Sequence, residues 1–199
     1  MSAIFTILII LFSIVIHEVA HGYAAYLLGD DTAYYAGRLT LNPIPHIDPI
    51  GSVAVPLLAF LTAGTFLGWA KPVPVNTYNL KGRYSDAIVS GAGIFANIMI
   101  AFVCGVLYKY MIHSGMLNDT LATALFTVIG VNVSLAFFNL IPVPPFDGMA
   151  ILQGLFPRMK VIFSFMYNPA YLILAIMVAS VFYSAFIPVI FKVISGWLV

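Results

Sequence analysis

Residues 3–28, from Ala3 to Leu28, form an apolar stretch long enough to cross a lipid bilayer, interrupted by three ionisable groups, His17, Glu18 and His21. A transmembrane helix needs roughly 20 predominantly apolar residues. Further segments of that kind are 50–69, punctuated by Gly and Pro, then 87–110 and 121–141. The tail, 161–199, is long enough for one span plus a second, shorter helix, with Pro169 and Pro188 as expected breaks. Only 8% of the chain is charged, against about 25% in an ordinary globular domain. That excludes a soluble domain and a disordered chain. A net charge of +1 with no basic cluster leaves no footprint for nucleic acid. The single cysteine, Cys104, excludes an internal disulfide framework and a Cys-based zinc site.

The first stretch lacks the basic leading region of a signal peptide, and its apolar character continues past any cleavage point, so it reads as a retained span. The expected fold is an all-α polytopic membrane protein with about five to six membrane helices. The expected organisation is a single membrane-embedded domain over 1–199, with a core at 3–155 and C-terminal helices at 161–199. Thr32 to Leu41 is β-branched and aromatic, with Gly37 inside it and Asn42-Pro43 closing it, which predicts a small β-element. Trp69 to Asn76 is expected to be extended, because each X-Pro disfavours helix.

His17-Glu18-Val19-Ala20-His21 is an HExxH motif. Residues four apart share a helix face, so two imidazoles can bind one zinc ion, and Glu18 beside them can deprotonate a water on it. Two plainer readings compete. The three groups could be polar residues packed in a bundle, but ionisable side chains inside a span are costly and rarely idle. They could also form a structural or transport zinc site with Glu18 in an outer role.

Catalytic zinc takes three protein ligands and leaves the fourth position open. The remaining histidines are His46, in a Pro-rich loop, and His113, near the end of a span; most of the aspartates lie in loops. Asp147 stands out in Asn139-Leu140-Ile141-Pro142-Val143-Pro144-Pro145-Phe146-Asp147-Gly148. Irregular backbone at membrane depth is tolerated only where protein or a water-filled cavity covers it. Asp147 is therefore the preferred third ligand, with His46 as runner-up and a solvated turn as the plain alternative.

The two motifs together, HExxH in a first span and NxxPxPxxDG after a later one, resemble the site-2 protease family of intramembrane zinc metalloproteases. Ser90-Gly91-Ala92-Gly93-Ile94-Phe95-Ala96-Asn97 resembles its AGPxxN segment, and Gly68 to Asn76 (GWAKPVPVN) resembles a stretch of its compact members. The similarity extends from about residue 10 to residue 155. It implies that His17, His21 and Asp147 ligate one Zn2+ ion and that Glu18 is the catalytic acid/base. It implies that Asn139 and Asn97 give polar support to substrate or transition state, and that the substrate is a transmembrane segment of another protein. Phe146 replaces the usual Leu and Ile94 the usual Pro, and neither change removes a reactive group. The PDZ and CBS domains of some relatives are not part of the resemblance, so the expected member is compact.

Span direction is constrained by geometry, whatever the family. His17 and His21 lie in the C-terminal half of one span, and Asp147 follows the C-terminus of another. To share a metal, the two spans must run in the same direction, with an odd number of crossings between them. One of 50–69 and 87–110 must then fail to cross, and the Pro- and Gly-rich 50–69 is the better re-entrant segment. Arg38, Lys71, Lys81, Arg83, Arg158 and Lys160 then share one side, with Lys109 a minor exception. The positive-inside rule makes that side cytoplasmic, in the cell membrane, with the active site near it. The β-element around 32–42 is a candidate dock for an unwound substrate strand. A zinc-binding adaptor without proteolysis, or a metal transporter, are the alternative functions.

Overall fold

The computed structural model describes residues 3–54, 61, 70–162, 164 and 168–198. Three of its helices are long and apolar enough to cross a membrane: α1 (Ala3–Leu27), α3 (Ser85–His113) and α4 (Asp119–Leu140). Between α1 and α3 lie the short α2 (Thr32–Tyr35), a 3-10 turn at Ile44–His46 and a π-helical turn at Pro49–Ala54. After α4 come α5 (Asp147–Leu155), α6 (Arg158–Ile162) and α7 (Pro169–Leu198).

The long helices are inverted relative to those of a soluble protein. Ile4, Ile7, Leu8 and Phe12 of α1 are exposed, while Ser13, His17 and His21 of the same helix are buried. Likewise Phe95, Phe102 and Val103 of α3 face outward, and Asn97 is fully buried. Apolar surface of this extent is compatible with lipid around the bundle and not with water.

α3 packs most extensively on α4 and α1. Named contacts set the directions. Residue 13 of α1 is bonded to residue 132 of α4, residue 17 to Asn97 of α3, and residue 21 to Val89 of α3. Going up α1 therefore means going down α3, so those two are antiparallel. α4 ends near the α1 imidazoles that Asp147 reaches, so α1 and α4 run in the same direction. Ala101 and Ile129 centre a small apolar cluster, with Cys104, Tyr108, Val133 and Ile194 of α7 packed against it.

Two expectations need correction. No strand forms among the described residues, and Thr32–Tyr35 is a helical turn. Asp30, two residues before it, accepts from Thr32 N and Oγ1 in an Asx turn that leads the chain into the helix. Gly37 ends it at φ +65°, with Gly37 N–H donating to Tyr34 O and Arg38 N–H to Ala33 O. These are the two bonds of a Schellman motif, so Gly37 is a helix stop and not a strand residue. Second, Pro188 does not break the tail helix, because α7 continues through it. Pro169 does fall at a boundary, as the first residue of α7. Of the segment expected to be re-entrant, 50–69, residues 55–60 and 62–69 lie outside the described residues.

The stretch 70–76 has no regular structure and is held by single bonds to several elements. Lys71 N–H donates to His46 O, Arg38 Nη2 to Lys71 O, and Asn76 N–H to Asp30 Oδ2. Asp30 is fully buried and also accepts from Asn79 Nδ2, so one carboxylate ties the end of α1 to the 76–79 turn. Burial alone pushes an acid's pKa up, but the bonds from Thr32, Asn79 and Asn76 outweigh it and hold Asp30 below its ordinary value.

Candidate metal centre

His17 and His21 sit one turn apart on α1 and face α3. That approach is possible because α3 presents Gly93 to them. A Cβ on Gly93 would stand 2.5 Å from His21 Nε2 and 2.6 Å from His17 Cε1. Asp147 arrives from the other side as the first residue of α5, delivered by the Pro-rich link after α4. The turn is tight: a Cβ on Gly148 would collide with the Leu140 and Ile141 carbonyl oxygens at the end of α4. Any larger residue there would push Asp147 away from the imidazoles.

The three groups converge. His17 Nε2 is 3.0 Å from Asp147 Oδ2, His21 Nε2 is 3.3 Å from the same oxygen, and the two Nε2 atoms are 3.1 Å apart. His21 Nδ1 lies 2.7 Å from Val89 O, a carbonyl that can only accept, so Nδ1 carries the proton and Nε2 a lone pair. His17 Nδ1 donates to Asn97 Oδ1 at 2.6 Å, which leaves its Nε2 a lone pair as well. Asp147 Oδ2 is buried and accepts no hydrogen bond. With both imidazoles neutral, three lone-pair atoms crowd together, an arrangement that a cation stabilises.

The spacing fits zinc. Tetrahedral Zn2+ with ligand bonds of about 2.0–2.1 Å has ligand atoms roughly 3.3 Å apart. The triangle of 3.0, 3.1 and 3.3 Å is close to one face of that tetrahedron, and the fourth corner is left for water or substrate. Two imidazoles with Nδ1 protons engaged and one carboxylate form a donor set suited to this ion.

Glu18 follows His17 on α1. Its Oε2 accepts from Val73 N–H at 2.8 Å. Glu18, the three converging residues, Asn139, Pro72, Val73 and Ser90 line a cavity of about 410 Å³ that reaches the exposed Asp86–Lys160 ion pair, 3.0 Å long.

The other sequence candidates fall elsewhere. His46 is buried in the loop, with Nε2 toward Thr40 O and Nδ1 3.4 Å from Arg38 Nη2. His113 is bonded to Lys109 O at the far end of α3. Asn139 lines the cavity while its Nδ2 donates to Leu135 O of its own helix. Asn97 does not reach the cavity; it lies wholly inside the bundle, against His17. Sequence reading singled out neither Asn132 nor Ser13, which join Asn97 in a buried network. An Asn and a Ser deep in apolar spans were the available signal.

Two helical imidazoles and a carboxylate that could hold one metal ion, with Glu18 beside them and apolar helices around them, are what a membrane-embedded metallohydrolase requires. The profile of peptidase family M50, the site-2 protease family, matches residues 106–183. The chain is 41% identical over 159 residues to a Bacillus subtilis protein provisionally named zinc metalloprotease YwhC, covering 77% of this chain and 69% of that one. It is 29% identical over 144 residues to a Mycolicibacterium smegmatis protein and 27% over 147 residues to a Mycobacterium tuberculosis protein, both provisionally named zinc metalloprotease Rip2. Those two matches cover 72% of this chain and 54% of each relative. No solved structure matches. The chain belongs to peptidase family M50.

Proposed function

We propose that this chain is an intramembrane zinc endopeptidase in which His17, His21 and Asp147 hold the metal and Glu18 is the catalytic acid/base. The observation that carries the reading is the convergence of two imidazole nitrogens and one carboxylate oxygen within 3.3 Å of one another, beside the Glu18 carboxylate. A zinc ion held by His17, His21 and Asp147 would polarise a carbonyl and bring the pKa of a water toward neutrality. Glu18 accepts the proton of the attacking water and returns it to the leaving amine. Val73 N–H orients the Glu18 carboxylate for both transfers. Asn139, on the cavity wall, offers a side-chain donor to the developing oxyanion.

The substrate class is a membrane protein cut in or near its transmembrane segment. Surface apolarity of the bundle favours partners that arrive through lipid, and the polar cavity ending at Asp86 and Lys160 supplies water. The protein is multi-pass, a single domain over 1–199. α1, α3 and α4 cross, and the long apolar α7 is a further membrane helix. Arg38, Lys71, Lys81 and Arg83 fall between α1 and α3, and Arg158 and Lys160 follow α5, with Lys160 on the cavity wall; under the positive-inside rule that side is the cytoplasmic one.

The test is metal content together with cleavage of a model transmembrane substrate. Wild-type protein should contain one zinc and cut. Glu18→Gln should keep the zinc and lose cutting by at least 10²-fold, within the range expected for an acid/base residue. Zinc with no cleavage by wild type would favour an adaptor, and zinc flux in vesicles would favour a transporter.

A further inference from the structure

Asn97 connects His17 to a second buried amide. Asn97 Nδ2 lies 2.8 Å from Asn132 Oδ1, and Asn132 Nδ2 lies 2.9 Å from Val128 O and 3.0 Å from Ser13 Oγ. Both asparagines are fully shielded, and Ser13 is nearly so. Each of the three long helices contributes: α1 gives Ser13 and His17, α3 gives Asn97 and α4 gives Asn132.

The donor sense of the whole chain follows from one carbonyl. Val128 O can only accept, so the Asn132 atom facing it is the amide nitrogen. Its other terminal atom is then the oxygen, and Asn97 must turn its nitrogen toward it. The weaker approach of that nitrogen to Ser13 O, 3.5 Å, agrees in sense. Asn97 is thereby left with its oxygen facing His17 Nδ1, which must carry a proton. His17 Nε2 is consequently the lone-pair atom that faces Asp147 and His21. An Asn97 amide turned through 180° would present N–H to Nδ1, favour the opposite tautomer and place a proton where the metal binds.

We infer that Asn132 is a positioning residue for the metal: it fixes the rotation of the Asn97 amide and, through it, the ligand tautomer of His17. The inference rests on the reading of His17 as a zinc ligand and adds to it a residue that touches neither zinc nor the cavity. His21 has no such dependence, because a backbone carbonyl fixes its tautomer directly.

The experiment is an apparent zinc Kd for detergent-solubilised protein, by competition with a chromogenic chelator. Helix content is read by circular dichroism on the same samples. Asn132→Leu, which keeps the volume and removes the acceptor, should weaken zinc about 10–100-fold, the range seen when partners of metal-bound imidazoles are removed. Adding Asn97→Asp to Asn132→Leu should bring the affinity back to within about 3-fold of wild type, because a carboxylate offers His17 an acceptor oxygen in either rotation. A merely structural role for Asn132 would not be rescued in this way. Wild-type affinity in Asn132→Leu, or a double variant as weak as the single one, overturns the proposal. Where Asn132→Leu does not fold, Asn132→Asp decides: it retains an acceptor for Asn97 and should stay within about 3-fold of wild type, and a larger loss overturns the proposal. His17→Ala separates the two levels, since zinc binding unaltered by that change would contradict the metal site itself.

Discussion

The Glu18 carboxylate accepts a hydrogen bond from the backbone N–H of Val73 at 2.8 Å, across 55 residues of sequence. Prolines at 72 and 74 leave Val73 as the one donor between them, so the Pro-Val-Pro stretch offers a single N–H to the carboxylate. Val73→Pro removes that donor and leaves all three metal-facing groups in place. It should lower kcat about 10-fold or more while zinc content stays at the wild-type level. Val73→Leu, which keeps the N–H, should retain activity. Paired kcat and zinc measurements on the two variants check this.

Gly93 is the reason that two imidazoles fit against α3. Gly93→Ala places a methyl 2.5–2.7 Å from ring atoms of both histidines, closer than real contacts allow. In a helix interior alanine is otherwise favoured over glycine by roughly 0.8–1.0 kcal/mol. The variant should therefore keep its helix content and lose its zinc, read by circular dichroism and metal analysis of the same preparation.

Asp30 gives the loop a pH dependence of known sign. Its pKa is below the ordinary value in the folded protein, and an unfolded Asp titrates at about 3.9. The stabilisation is thus complete above about pH 4 and is lost as pH falls through the lower, folded value. Hydrogen exchange of residues 76–81 should accelerate as pH is lowered below about 4, after correction for intrinsic rates. Asp30→Asn should exchange faster at neutral pH and lose most of that acid-dependent increment.

The sequence was most informative where spacing and geometry coincide. HExxH puts both imidazoles on one helix face, and the demand that Asp147 reach them required α1 and α4 to run in the same direction, as they do. The 32–42 region misled because β-branched and aromatic residues score as strand, while the local signals, Asp30 before Thr32 and Gly37 after Ala36, were those of a capped helical turn. Pro188 misled for another reason: a proline kinks or interrupts a soluble helix, but a long apolar helix can carry one without ending. Asn132 stood out only as a polar residue in an apolar run, which gives no clue to its partner. Its part emerges only when α1, α3 and α4 are packed together.

The coordination shell of the bound metal tests the central claim most directly. X-ray absorption at the zinc edge of the wild-type protein should show a four-coordinate shell of nitrogen and oxygen at about 2.0–2.1 Å, with two imidazoles. Asp147→Ala should change that shell while both imidazoles remain. A six-coordinate oxygen shell, or a spectrum that Asp147→Ala leaves unaltered, would contradict the account.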